Sequence, residues 1–113
     1  MSKKIFVIAA MDDEKIHSVK YDSQNLSGIR FWWNASFTYK RVKNKKGEWI
    51  DYKKKDYSMT LININCEKRE FEVLKVIDYD GNEKVIKNLN GNGTTEYIVP
   101  NSLMETFSTI ICN

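Results

Sequence analysis

The sequence predicts an α+β protein: an antiparallel, hairpin-rich sheet of about six strands with one C-terminal helix packed on a face. Three observations carry this. From Ile29 to Lys40, Ile29, Phe31, Trp33, Ala35, Phe37 and Tyr39 alternate with polar residues, and Trp32 is the one large apolar residue on the polar side. Side chains of a strand alternate between faces, so this is a half-buried strand with the aromatic and β-branched content that suits a pleated surface. A second alternating run, Tyr57 to Cys66, puts Ile62, Ile64 and Cys66 on one face. The third observation is Pro100 followed by Ser102 and Glu105, a proline stop and a capping-box pair, ahead of an apolar stripe of Leu103, Phe107, Ile110 and Ile111 at helical spacing. The helix is expected to lie on the face that carries Ile62 and Ile64.

The remaining elements follow in order. Ile5 to Met11 and Lys15 to Tyr21 read as a hairpin around the acidic turn Asp12-Asp13-Glu14, with His17, Val19 and Tyr21 on one face. Asp22 to Gly28 reads as a polar connection. Arg69 to Tyr79 follows Cys66 after a tight turn at Glu67-Lys68, and Asp80-Gly81-Asn82 is a hairpin signal, since glycine takes positive φ without steric cost. Glu83 to Leu89 pairs back, Asn90 to Gly93 is a loop, and Thr94 to Val99 is a short last strand. At 113 residues the chain is expected to form one domain over 1–113, large enough to bury a single core.

Charge is distributed unevenly. Lys40 to Lys55 holds eight basic and two acidic residues, whereas the rest of the chain holds ten basic and thirteen acidic. The formal net charge of +3 is therefore a local excess of +6 set against −3 elsewhere. Gly47 marks a turn, and Trp49, Ile50 and Tyr52 are interleaved. Two readings stand side by side: a long solvated hairpin tip whose lysines guard an exposed edge, or a surface for an anionic partner. The second would be built from Lys43, Lys45, Lys46, Lys53, Lys54 and Lys55, with Trp49 and Tyr52 as apolar anchors.

Other chemistry is scarce. His17 is the single histidine and has no Ser, Cys or acid partner near it in sequence, so no catalytic residue is assigned. Asp12, Asp13 and Glu14 lack the ligand spacing and glycine of a calcium loop. Gly91 and Gly93 do not form a phosphate loop. Neither a metal, a cofactor nor a nucleic-acid partner is expected. Two cysteines are too few for zinc with one histidine present, which leaves two free buried thiols or one disulfide. On an ideal helix Cys112 lies well off the Leu103–Phe107 stripe and reaches the sheet only if the last turn frays or ends early. No apolar run approaches the ~20 residues that cross a bilayer. Lys3-Lys4 and Ile5 to Ala10 imitate a signal peptide, but the apolar run is shorter than the usual ~7–15 residues. It reads as the first strand, and the starting Met is either native or replaces a removed leader.

The run Ile62-Asn63-Ile64-Asn65-Cys66, a strand, Asp78-Tyr79-Asp80-Gly81-Asn82, then Tyr97-Ile98-Val99-Pro100-Asn101-Ser102 and a helix ending at Cys112 resembles the bacterial surface-adhesin protein E family. That family typically shows a strand ending in Asp-Cys, a Tyr-Asp-x-x-Gly turn, a Pro-Gly-Ser helix start and a terminal cysteine. Lys15 to Leu26, with Tyr21-Asp22, resembles its early Tyr-Asp segment, and Ile29 to Trp33 its aromatic strand. Asn65 stands where an acid is usual, Asn101 where Gly is usual, and the lysine segment is longer and more basic. The resemblance implies a disulfide joining Cys66 to Cys112, a sheet-plus-helix domain, and a secreted, periplasmic or outer-membrane-anchored bacterial protein. It further implies adhesion to host matrix or serum glycoproteins, with no binding residue carried over. The alternative is a structural envelope or interaction domain, pairing with a second copy through a sheet edge.

Overall fold

The computed structural model describes residues 5–11, 15–37, 39–53, 57–80 and 83–113, with the backbone alone at 37, 39–42 and 50–53. Among these residues nine strands and one helix follow in chain order: β1 (Val7–Met11), β2 (Lys15–Asn25), β3 (Gly28–Phe37), β4 (Tyr39–Lys43), β5 (Trp49–Lys53), β6 (Tyr57–Asn65), β7 (Glu70–Tyr79), β8 (Val85–Asn90), β9 (Thr95–Tyr97) and α1 (Leu103–Ile111). Seven strands make one antiparallel sheet in the order β1-β2-β3-β6-β7-β8. The short β9 shares the outer edge of β7: β8 pairs with Lys75–Tyr79 and β9 with Glu70–Glu72. β4 and β5 form a separate two-stranded ribbon.

The chain passes from β8 toward β9 through Gly91. Its N–H donates to Leu74 O at 2.9 Å, and a Cβ at this position would sit 1.7 Å from Val73 O. Leu74 is the extra residue of a bulge in β7, because Leu61 pairs with Lys75 and Ile62 already with Val73. A bulge leaves one residue out of the ladder. Here Gly91 supplies a donor to the carbonyl that the bulge frees.

The core lies between α1 and the sheet face that carries Ile62 and Ile64. Val19, Phe31, Ile62, Ile64 and Phe107 are fully enclosed, joined by Ile98 and Ile111. Phe107 meets Phe31 edge-on at 6.0 Å between ring centroids and Trp33 at 5.2 Å. Each such side chain contributes about 1.5–3 kcal/mol by leaving water. The helix opens as the sequence predicts: Ser102 Oγ accepts from Glu105 N, and Glu105 Oε1 accepts in return from Asn101 N. Its buried side is Phe107, Ser108 and Ile111, flanked by Leu103, Met104 and Ile110. That side is rotated toward Ser108 from the expected stripe, and Cys112 stands one turn beyond Ser108. Cys112 is the C-cap and keeps helical dihedrals, its N–H donating to Ser108 O at 2.8 Å, so the rotation of the buried side, not an early end of the helix, brings it to the sheet. It forms a disulfide with Cys66, Cα–Cα 5.9 Å.

Three expectations need correction. Asp22 to Gly28 is not a long connection: β2 runs to Asn25 and the turn is Leu26-Ser27. Asn25 Oδ1 closes it by accepting from Ser27 N (2.9 Å) and Ser27 Oγ (2.6 Å). The polar composition of residues 22–25 suggested a loop, but pairing with β3 overrides propensity, helped by a bulge between Tyr21 and Ser23. The strand expected over Ile29 to Lys40 stays in the main sheet only to Phe37, and Tyr39–Lys43 belongs to the ribbon. The last strand is shorter than Thr94 to Val99, spanning Thr95–Tyr97. The Asp12–Glu14 turn and Gly81-Asn82 lie outside the described residues.

Candidate functional site

The strongest sequence candidate, the basic segment, is an antiparallel ribbon. Its register pairs Tyr39 with Lys53, Lys40 with Tyr52, Arg41 with Asp51, Val42 with Ile50, and Lys43 with Trp49. At the tip, Asn44 N donates to Glu48 O (2.9 Å) and Gly47 N to Asn44 O (3.0 Å). The Asn44 carbonyl oxygen Oδ1 accepts from both Lys46 N (2.9 Å) and Glu48 N (3.0 Å). Gly47 takes φ 79°, which glycine adopts freely. One asparagine side chain thus holds the turn from inside, as Asn does in turns generally. Lys45 and Lys46 stand exposed on it.

Trp49 is 61% exposed, and the Lys43 ammonium lies 5.2 Å from its ring centroid. A cation over an indole face is worth about 0.5–1 kcal/mol at an exposed site. The tip therefore presents a fixed turn, three exposed lysines and one exposed indole within a few residues. Arg41 pairs in register with Asp51 in the middle of the ribbon. Positions 49 and 52 differ by an odd number along one strand, which assigns them to opposite faces of the ribbon. The ribbon brings Lys43, Lys45, Lys46 and Trp49 together; position 52 belongs to the other side, Lys53 sits at the base, and Lys54 and Lys55 lie outside the described residues.

His17 does find a partner, in space rather than in sequence: its Nδ1 accepts from Trp33 Nε1 at 3.1 Å. Trp32, the apolar residue on the polar face, donates its Nε1–H to Asp22 Oδ1 at 3.3 Å. Among the described residues no group of three or more His, Cys, Asp or Glu could hold a metal ion. No helix among them is long and apolar enough to cross a membrane. Sequence reading missed a polar cleft on the sheet face away from the helix, lined by Arg30, Asn63, Asn65, Glu70 and Glu72 among others. Its only sequence signal is polar residues at alternate positions of central strands.

Residues 7–113 match the family model described as surface-adhesin protein E. The chain belongs to the surface-adhesin protein E family. No curated protein and no solved structure matches it. Membership points to a binding rather than a catalytic role, and together with the disulfide to an extracellular or surface location. Two of the three departures from the pattern noted in the sequence have local explanations. Asn101 stands at the glycine position with φ 62°, a left-handed conformation that asparagine tolerates better than most residues. Asn65 stands at the acid position, and its Oδ1 accepts from Lys68 N at 3.0 Å. A carboxylate oxygen could accept that bond equally well.

Proposed function

We propose that this member of the surface-adhesin protein E family is a secreted or surface-displayed bacterial binding domain. It acts as a single unit over residues 1–113 and contacts host matrix or serum glycoproteins, or other anionic surfaces, through the ribbon tip. The observation that carries this reading is the conjunction of exposed Lys43, Lys45 and Lys46 with the exposed indole of Trp49 on one pre-set turn. Opposite charge steers encounter, and a large amphipathic ring supplies contact area at low entropic cost. Pre-organisation by Asn44 lowers the ordering cost of binding. The test is elution from a heparin column. The wild type should elute at higher salt than Lys43→Ser/Lys45→Ser/Lys46→Ser, and equal elution would leave the tip a solubilising turn.

A second reading, a structural envelope domain that pairs with a second copy, is favoured by β8. All six of its residues are exposed, including the apolar Val85, Ile86 and Leu89. It borders the sheet on the side away from β7, as an edge open to strand addition. Size exclusion giving a dimer that Ile86→Lys dissolves would favour that reading.

A further inference from the structure

The sheet face away from α1 carries a row of polar residues that crosses five strands. The register links Ser23 to Arg30, Arg30 to Asn63, Asn63 to Glu72, and Glu72 to Thr95. Beside it runs a second row, Asn65 to Glu70 to Tyr97. Residues two apart on a strand share a face, so both rows lie opposite Ile62 and Ile64. Between them is an open cleft of about 170 Å³. Strands stand ~4.8 Å apart, so Arg30 and Glu72 are separated by about 10 Å across Asn63.

Several of these groups are left unmatched. Glu70 and Glu72 are partly buried, yet among the described residues neither carboxylate has an ion pair or a hydrogen bond. Arg30 Nε and Asn63 Oδ1 are buried without any partner. Native proteins rarely leave such atoms unbonded, because each forfeits a water contact for nothing. Both belong to residues that line the cleft. The Asn63 amide nitrogen is engaged, donating to Ser27 O at 3.3 Å, while among the described residues no hydrogen bond holds the Arg30 guanidinium. Tyr97, 74% exposed, projects from the neighbouring row as a bare aromatic ring.

We infer that this cleft is a second binding site, for a neutral hexose unit of a glycan. The chemistry is specific to that class. Vicinal hydroxyls both donate and accept, so they can donate to the carboxylates of Glu70 and Glu72 while accepting from the Arg30 guanidinium. The carbon-bound hydrogens of a pyranose face suit an exposed aromatic ring. An anionic ligand would meet two carboxylates against one guanidinium and is disfavoured. The site is separate from the ribbon and stands whether or not the ribbon binds.

Saturation-transfer NMR on the full chain tests this, with the methyl glycosides of glucose, galactose and mannose, and with N-acetylglucosamine, as probes. At least one should receive saturation on its ring protons. Glu72→Gln keeps the shape of the side chain but removes the charge that strengthens its hydrogen bonds, and should weaken that sugar about tenfold or more. Tyr97→Ala, at an exposed position that leaves the core intact, should weaken it severalfold. Lys43→Ser/Lys45→Ser/Lys46→Ser should bind the sugar as the wild type does. Saturation of no probe, equal saturation in Glu72→Gln and Tyr97→Ala, or loss of the signal in the lysine variant would each overturn the inference.

Discussion

Arg69 donates from Nη2 to Glu105 Oε2 at 3.1 Å, while the other oxygen of the same carboxylate accepts from Asn101 N. Glu105 therefore serves the start of α1 and fastens it to the turn between β6 and β7. Cys66, at the opposite end of that turn, holds Cys112. Both ends of the helix are tied to residues 66–69. Ile98 N adds a bond to Arg69 O from the approaching chain.

The two ties should contribute unequally. Arg69 and Glu105 face solvent, and exposed pairs of this kind are worth ~0–1 kcal/mol. Arg69→Ala should lower stability by no more than about 1 kcal/mol. The disulfide closes a separation of 46 residues, for which chain entropy gives about 4 kcal/mol. Cys112→Ala should cost about 2–5 kcal/mol in denaturant unfolding. Mass spectrometry without reductant should find the intact chain lighter than its reduced form by two hydrogens. Two free thiols in protein prepared under oxidising conditions would refute the pairing.

The ribbon lysines should matter to binding and not to folding. Replacing Lys43, Lys45 and Lys46 with Ser removes exposed charges, so the thermal midpoint should stay within a degree or so of the wild type. Heparin retention should fall, and its dependence on salt should flatten, because screening acts on those same charges. Trp49→Ala should also weaken retention, with a smaller change in salt slope.

Stability should decline at high pH in part through Tyr57. Its ring stacks on Tyr79 at 4.8 Å with an interplanar angle of 13°. Partial burial, with the nearby Glu83 carboxylate, Tyr79 and the Asp80 carboxylate adding to it, raises the Tyr57 phenol above its ordinary value of 10.0. A raised value means the folded state holds the proton more tightly. The contribution is fully present below the unfolded value, about 10, and is lost as pH rises through the folded one. Tyr57→Phe should flatten the fall in stability above pH ~10, measured as unfolding free energy against pH. Parallel curves for the two proteins would contradict the assignment.

Gly91 should resist any side chain. A methyl group there meets the Val73 carbonyl at 1.7 Å, with backbone on both sides of the contact. Gly91→Ala should cost about 1–3 kcal/mol, as forced overpacking does, and lower the denaturant midpoint without changing the slope. Gly93 is the control: a Cβ there meets nothing within 4 Å, although its φ of 76° still favours glycine.

Much of the fold was legible because one face of the sheet is dry. Phe31, Ile62, Ile64 and Val19 must be excluded from water together, so their alternation survives in the sequence. Asp22 to Asn25 was illegible because three of the four are exposed and Ser23 is only half-buried; their strand is imposed by Gly28 to Arg30 opposite. The ribbon read as basic and turn-forming, but its departure from the main sheet after Phe37 leaves no break in the alternation of Ile29 to Tyr39. The polar cleft was hidden for a different reason. Arg30, Asn63 and Glu72 are far apart in sequence, and only the register of three strands brings them into one row.

The ribbon interrupts two strands that are already partners. β3 and β6 pair directly from Ile29↔Ile64 to Ala35↔Ser58, and the ribbon of β4 and β5 is an excursion from the end of that ladder. The sheet closes on either side of it without using it. Residues there can therefore be lengthened, shortened or recharged while the scaffold stays in register. Such an arrangement separates two kinds of evolutionary pressure. A change in the ribbon is borne there and not by the framework that carries it.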